Sequence, residues 1–207
     1  SNARDLVQTS AREGAEFIVS GASLPLKLPE MIGEDPIYLI PIVSSGRAAD
    51  IVLRTWEKRY GRIADAVILE GPLAGGHLGF KLDQIDLESN ILDNLLPPVK
   101  DMAIKYGDFP VIAAGGIYTH EDIVRFLKMG ADGVQMGTRF LATEESSASS
   151  DYKTAVIAST EAGQVATAER DLLVFQPFFV ENDPPPILTE GDALELPALV
   201  RNYTETP

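Results

Sequence analysis

Cysteine is absent from the chain, which excludes disulfides, thiolate metal sites and a cysteine nucleophile. Histidine occurs only as His77 and His120, too sparse for a histidine-rich metal centre, so no metal site is expected. Basic residues are scarce: 17 stand against 31 acidic ones, for a net charge of −14 at pH 7. That field repels nucleic acid and anionic lipid, so neither is expected as a partner, and any phosphate must be held locally against it. No apolar run approaches the ~20 residues of a membrane-spanning helix, which makes a cytoplasmic protein the expectation. What remains is an ordinary globular composition, 45 % hydrophobic and 23 % charged. Its 207 residues suffice for one core and lie at the bottom of the range for an α/β barrel.

Glycine punctuates the chain. Val111-Ile112-Ala113-Ala114 ends in Gly115-Gly116, and Gly133-Val134-Gln135-Met136 ends in Gly137. Between them Thr119-His120-Glu121-Asp122 reads as a capping box, followed by Ile123, Phe126 and Leu127 at helical spacing and a stop at Gly130. The same alternation occurs earlier. Leu6, Val7 and Ser10 predict a helix before the apolar run Glu16–Gly21. The run Tyr38–Val43 breaks at Ser44-Ser45-Gly46 and leads into a helix marked by Ile51, Val52, Thr55, Trp56 and Tyr60. Pro41 inside that run predicts a bulge or frayed strand. Ala66–Gly71 is a third run, followed by a glycine- and charge-rich segment to Asn90 whose length suggests function. A helical pattern from Ile91 is expected to break at Pro97-Pro98 and resume at Val99. Five strands thus end near residues 21, 43, 71, 116 and 137. Their continuous apolar character predicts a parallel sheet buried on both faces, and a doubly wound sheet and a barrel fit equally well. Asp171–Val180 is strongly apolar, and Pro184-Pro185-Pro186 and an acidic tail follow; this region does not continue the repeat.

Chemistry is expected at the carboxyl ends of the strands. Gly115, Gly116 and Gly137 either permit tight turns or bare their N–H groups to a phosphate, with Thr138 as a hydroxyl donor and Arg139 as a charge or a solvent-facing residue. His77 lies among Gly75, Gly76 and Gly79 after the third strand, a placement that suits a functional imidazole better than a core one. His120, in the first turn of a helix, reads as a solvated surface residue. Ser44 and Ser45 cap a helix or contact a ligand, Glu70 is a base or a turn cap, and Gln135 needs a partner if it points inward, for which a cofactor ring edge would serve.

Three stretches, Val67–Phe80, Val111–Tyr118 and Gly130–Phe140, together with Ser20–Pro25 and Pro41–Ala49, closely resemble the nitronate monooxygenases, formerly called 2-nitropropane dioxygenases. The resemblance covers about residues 4–157. It implies a TIM-type (β/α)8 barrel lacking the N-terminal units, since the family has about three further units before the position of residue 4. Residues 1–160 would then form a partial barrel with an FMN site, and 161–207 a divergent C-terminal segment. The resemblance further implies His77 as the catalytic histidine, Gly75 and Gly76 against the flavin, and Gly115, Gly116, Gly137 and Thr138 around its phosphate. Gln135, Ser45 and Glu70 complete the expected cofactor-binding set. The implied activity is FMN-dependent oxidation of alkyl nitronates or nitroalkanes with molecular oxygen. The alternatives are an NAD(P)H-dependent enoyl-thioester reductase, because flavin-dependent enoyl-acyl-carrier-protein reductases share the motifs, and a non-catalytic barrel fragment. A truncated barrel exposes an apolar edge, so homo-oligomerisation, cover by the tail or aggregation is expected.

Overall fold

The computed structural model describes residues 2–33, 36–76, 78–158, 178–182 and 198–202. The chain divides into two compact units, Ser1–Ala168 and Glu169–Pro207. In the first, α1 (Asn2–Arg12), β1 (Phe17–Ser20), α2 (Leu28–Ile32), β2 (Tyr38–Val43), α3 (Gly46–Tyr60), β3 (Val67–Glu70), α4 (Leu92–Tyr106), β4 (Val111–Ala114), α5 (His120–Lys128), β5 (Gly133–Gln135), α6 (Thr138–Leu141) and α7 (Ser150–Ala158) follow in order. Two short 3-10 turns, Leu82–Gln84 and Glu88–Asn90, occupy the segment expected to be irregular. In the second unit β6 (Phe178–Asn182) pairs antiparallel with β7 (Ala198–Asn202), so the apolar run at Asp171–Val180 ends in a strand.

Strand order resolves the choice that periodicity left open. The five strands pair in parallel in the sequence β1-β2-β3-β4-β5, each beside its successor. A doubly wound sheet reverses direction at a switch point and carries helices on both faces. Here successive residues of β2 alternate between exposed or half-buried and buried, and the buried set is Leu39, Pro41 and Val43. Leu39 and Val43 join Val67, Leu69, Val111 and Ala113 in one core with Val52, Leu53 and Trp56 of α3 and Leu95, Leu96 and Val99 of α4. Burying each such side chain stabilises by roughly 1.5–3 kcal/mol. The other face is uncovered at one end, where Phe17, Val19 and Tyr38 are 57 %, 43 % and 61 % exposed. The expectation of burial on both faces is therefore corrected for β1 and the start of β2. Consecutive order with helices on one face is the arrangement of a singly wound barrel wall, whose second face points at the barrel interior.

Two prolines behave differently from expectation. Helix α4 is continuous through Pro97 and Pro98. The prolines remove ladder donors, yet Leu95, Leu96, Val99 and Ala103 are buried on either side, and Pro98 packs where a Cβ on Gly46 would lie 3.2 Å from its own Cβ. Glycine at the start of α3 thus lets the two helices close on the proline. Pro41 causes no break either: β2 pairs with β1 up to Pro41 and with β3 from Ile42 onward, so the missing donor falls where the ladder changes partner.

Side chains stitch the amino ends of the strands. Asp65 Oδ2 accepts the Leu39 N–H at 2.7 Å while the Asp65 N–H donates to the Leu39 carbonyl at 3.1 Å. Arg62 donates to Asp65 and to the Ile37 carbonyl beside it. Asp132 repeats the device one pair further on: its Oδ2 accepts the Val111 N–H and Lys100 Nζ, both at 2.7 Å, and its N–H donates to the Val111 carbonyl at 2.9 Å. Burial opposes ionisation of Asp132, but Lys100 and the Val111 N–H outweigh it and hold the carboxyl below the usual range. Among the described residues no helix is long and apolar enough to cross a membrane.

Candidate functional site

At the opposite, carboxyl end of β3, β4 and β5 lies a cleft of about 570 Å³. The turn after β3 bends back through Ala74 N–H to the Gly71 carbonyl at 3.2 Å, while Gly71 N–H reaches the Ala114 carbonyl at 2.8 Å. This folds Leu73, Ala74, Gly75 and Gly76 over the end of β4. Gly115 and Gly116 follow β4 with φ of +93° and +78°. A Cβ on Gly115 would lie 2.8 Å from the Gly71 carbonyl oxygen, and one on Gly116 2.9 Å from Leu73. Both are glycine because the fold requires it: the backbone is left-handed and another turn crosses it. Thr119 then caps α5, accepting the Asp122 N–H at 3.1 Å while Asp122 accepts the Thr119 N–H at 2.9 Å. That backbone hydrogen bond from Thr119 is the main reason the Asp122 carboxyl sits below its ordinary range. The capping box at Thr119 and the left-handed stop at Gly130, with φ of +100°, are as expected.

Gly75 and Gly137 differ from the pair after β4. Gly137 precedes α6 with φ of −122°, and a Cβ there would meet nothing within 4 Å. A Cβ on Gly75 would make only an ordinary 3.7 Å approach to Thr138 Oγ1. Neither close packing nor a positive φ calls for glycine at these two positions, and both face the cleft.

The structure brings together Glu70, Gly75, Gly76, Gly115, Gly116, Gln135, Gly137 and Thr138, all on the cleft wall. Ser45 is not among them: it is the N-cap of α3, its Oγ accepting the Ala48 N–H at 3.2 Å, which realises the capping alternative. His77 lies outside the described residues. His120 is exposed on α5, as expected. Arg139 sits at the rim, donating to the Tyr118 carbonyl at 2.9 Å and stacked over the Tyr118 ring at 4.6 Å. Desolvation raises the Glu70 carboxyl above its ordinary value. Leu73, Tyr118, Met136, Leu141 and Tyr152 also line the cleft. Tyr118 follows directly on the glycine pair, a position that signals it, whereas Tyr152 arrives on α7, in a stretch without a motif. Among the described residues no cluster of three or more acidic or imidazole side chains could hold a metal ion.

Neutral donors dominate this cleft. Thr138 brings a hydroxyl to the lining and Gln135 an amide, beside the Glu70 carboxyl, while the Arg139 guanidinium is engaged with Tyr118.

Comparison with known proteins places these features in context. The family model for nitronate monooxygenase matches residues 3–171, and a second, for the alpha-2-macroglobulin family, matches residues 145–207. A probable nitronate monooxygenase from Staphylococcus aureus strain JH9 is 39 % identical over 106 residues, 50 % of this chain and 28 % of that protein. Among solved structures, FabK from Thermotoga maritima has a TM-score of 0.60 at 33 % identity, over 76 % of this chain and 44 % of its own. A nitroalkane oxidase from Streptomyces ansochromogenes has a TM-score of 0.58 at 28 % identity, over 72 % and 41 %. GMP reductase from Trypanosoma brucei, at 20 % identity and a TM-score of 0.54 over 70 % and 32 %, shares the fold. The chain therefore spans well under two thirds of the length of each of these proteins.

Proposed function

Because the chain belongs to the nitronate monooxygenase family, we propose that it carries the flavin site of an FMN-dependent oxidoreductase acting on alkyl nitronates or nitroalkanes with molecular oxygen. The observation that carries this reading is the pair Gly75 and Gly137, glycines facing a cleft at positions where the chain's own packing does not demand them. A bound group that needs close backbone approach supplies the reason. In this reading Gly115, Gly116, Gly137 and Thr138 hold the phosphate. Gly75 and Gly76 lie flat against the ring system, and Gln135 and Glu70 face its edge. His77 takes the acidic proton beside the nitro group or orients the nitronate. FMN, when bound, supplies electron transfer from substrate to oxygen. Residues 1–160 are the part of the barrel that does this, and 161–207 are a separate segment. The open apolar face at Phe17, Val19 and Tyr38 supports association with a second copy.

The test is the visible absorbance of the purified chain, before and after FMN is added and unbound cofactor is filtered away. Retained flavin bands are expected; a colourless retentate overturns the reading in favour of a non-catalytic barrel wall. A second reading, an NAD(P)H-dependent enoyl-thioester reductase, rests on the motifs that class shares. Turnover of a crotonyl thioester with NAD(P)H, and none of alkyl nitronates, would select it.

A further inference from the structure

The two glycine turns that face the cleft are held in place unequally. After β4, a Cβ on Gly115 would meet the crossing Gly71 backbone and one on Gly116 the Leu73 side chain, and Ile117 is buried. After β5, a Cβ on Gly137 would meet nothing within 4 Å, and Met136, Thr138 and Arg139 range from half-buried to exposed. A glycine without packing around it leaves its backbone free to vary, so the second turn needs an anchor outside itself.

Arg139 supplies one. It follows Thr138 directly; its Nη1 donates to the Tyr118 carbonyl at 2.9 Å, and its guanidinium carbon lies 4.6 Å from the centre of the Tyr118 ring. Tyr118 comes from the other turn, two positions after Gly116. Its N–H donates to Asp122 Oδ2 at 3.2 Å, so its backbone is held from both sides. Asp122 in turn lies 3.7 Å from Arg125, which reaches Asp93 of α4 at 3.2 Å. The open turn is thus tied through Tyr118 to the packed one, and from there to α5 and α4. A planar guanidinium stacks on a ring while its N–H groups donate; an ammonium is a point charge without that plane.

We propose that Arg139 is a positioning residue: by bridging to Tyr118 it fixes the spacing of Gly116 and Thr138, and the cleft thereby grips the phosphate of FMN. Arg139 acts through the two turns and does not itself hold the phosphate. The assignment rests on the flavin reading above.

The test compares FMN with riboflavin, which carries the same ring system and no phosphate. Affinities of both for the full chain are read from quenching of flavin fluorescence, and amide hydrogen exchange is followed on the same proteins without flavin. Arg139→Gln should weaken FMN about tenfold, the scale of one charge-assisted hydrogen bond, and riboflavin by about twofold or less. Arg139→Lys, which restores the charge but not the plane, should recover little of that loss. Tyr118→Ala should weaken FMN as well, and the double variant should be no weaker than Arg139→Gln alone, since either change opens the same bridge. Exchange at residues 116–118 should quicken in Arg139→Gln, although the substitution lies 21 residues from Tyr118. Full recovery by Arg139→Lys, or additive losses in the double variant, would make Arg139 a direct partner of the phosphate and overturn the assignment. Unchanged FMN affinity in Arg139→Gln overturns it too, as do equal losses of FMN and riboflavin. If the unaltered chain binds neither flavin, the flavin reading fails, and exchange decides the bridge: it stands if residues 116–118 quicken and falls if they do not.

Discussion

The two ends of the parallel sheet solve opposite problems with different residues. At the amino end, Asp65 and Asp132 close the ladder with their side chains, each taking a strand N–H and a cation. At the carboxyl end the work falls to backbone, with Gly115 and Gly116 passing their neighbours at distances no side chain permits and Glu70 and Ser44 without partners among the described residues. The first end is satisfied internally and the second is not. On the proposed reading, stability and function are separated along the strand axis except at Gly115, as expected for a barrel whose sites lie at the carboxyl face.

That separation is open to test. The largest effect is expected at Gly115, where the two roles meet: Gly115→Ala drives a Cβ to 2.8 Å from the Gly71 oxygen at a φ of +93°, and should cost about 3 kcal/mol or more in urea unfolding. An unchanged midpoint would mean that the turn crossing is soft. At the amino end, Asp132→Ala leaves the Val111 N–H without its acceptor and should cost about 2 kcal/mol with no change in FMN retention. Any parallel loss of flavin would break the comparison. Gly137→Ala should do the reverse, leaving unfolding within ~0.5 kcal/mol of the parent while weakening FMN at least tenfold, about 1.4 kcal/mol.

The smallest effect concerns Glu70. Its folded carboxyl titrates above the unfolded one because burial disfavours the charge, so its contribution is favourable below the unfolded value of 4.5 and is lost as pH rises through the folded one. Glu70→Gln should therefore raise the melting temperature at pH 7 and leave it unchanged near pH 4. Equal shifts at both pH values would point to packing in place of charge.

The strands were legible because each is an apolar run closed by glycine, and α5 because both its cap and its stop are written in local residues. Where tertiary contacts decide, local signals mislead. Pro97-Pro98 reads as a break, yet the packing of Pro98 against Gly46 and the buried leucines around it keep α4 whole. The helices α2 and α7 carry weak local patterns that the spacing of apolar residues does not reveal. Periodicity could not reach strand order, since a run of apolar residues does not name its neighbour; the resemblance to a barrel family implied the consecutive order that the sheet has. At the site, glycine motifs located the turns, but nothing local distinguishes Gly115, fixed by a crossing backbone, from Gly137, which the packing leaves free. Ser45 shows the same limit from the other side: a serine before a helix caps it whether or not a ligand is near.

The consecutive order of β1 to β5 also bears on how such a molecule is made and remade. Each strand docks only on one already formed beside it, so loop closure involves short stretches of chain and the sheet can grow unit by unit from a single nucleus. The cleft inherits this locality. Among the described residues its walls come from between Glu70 and Tyr152, so one contiguous segment of the sequence carries the whole glycine cradle.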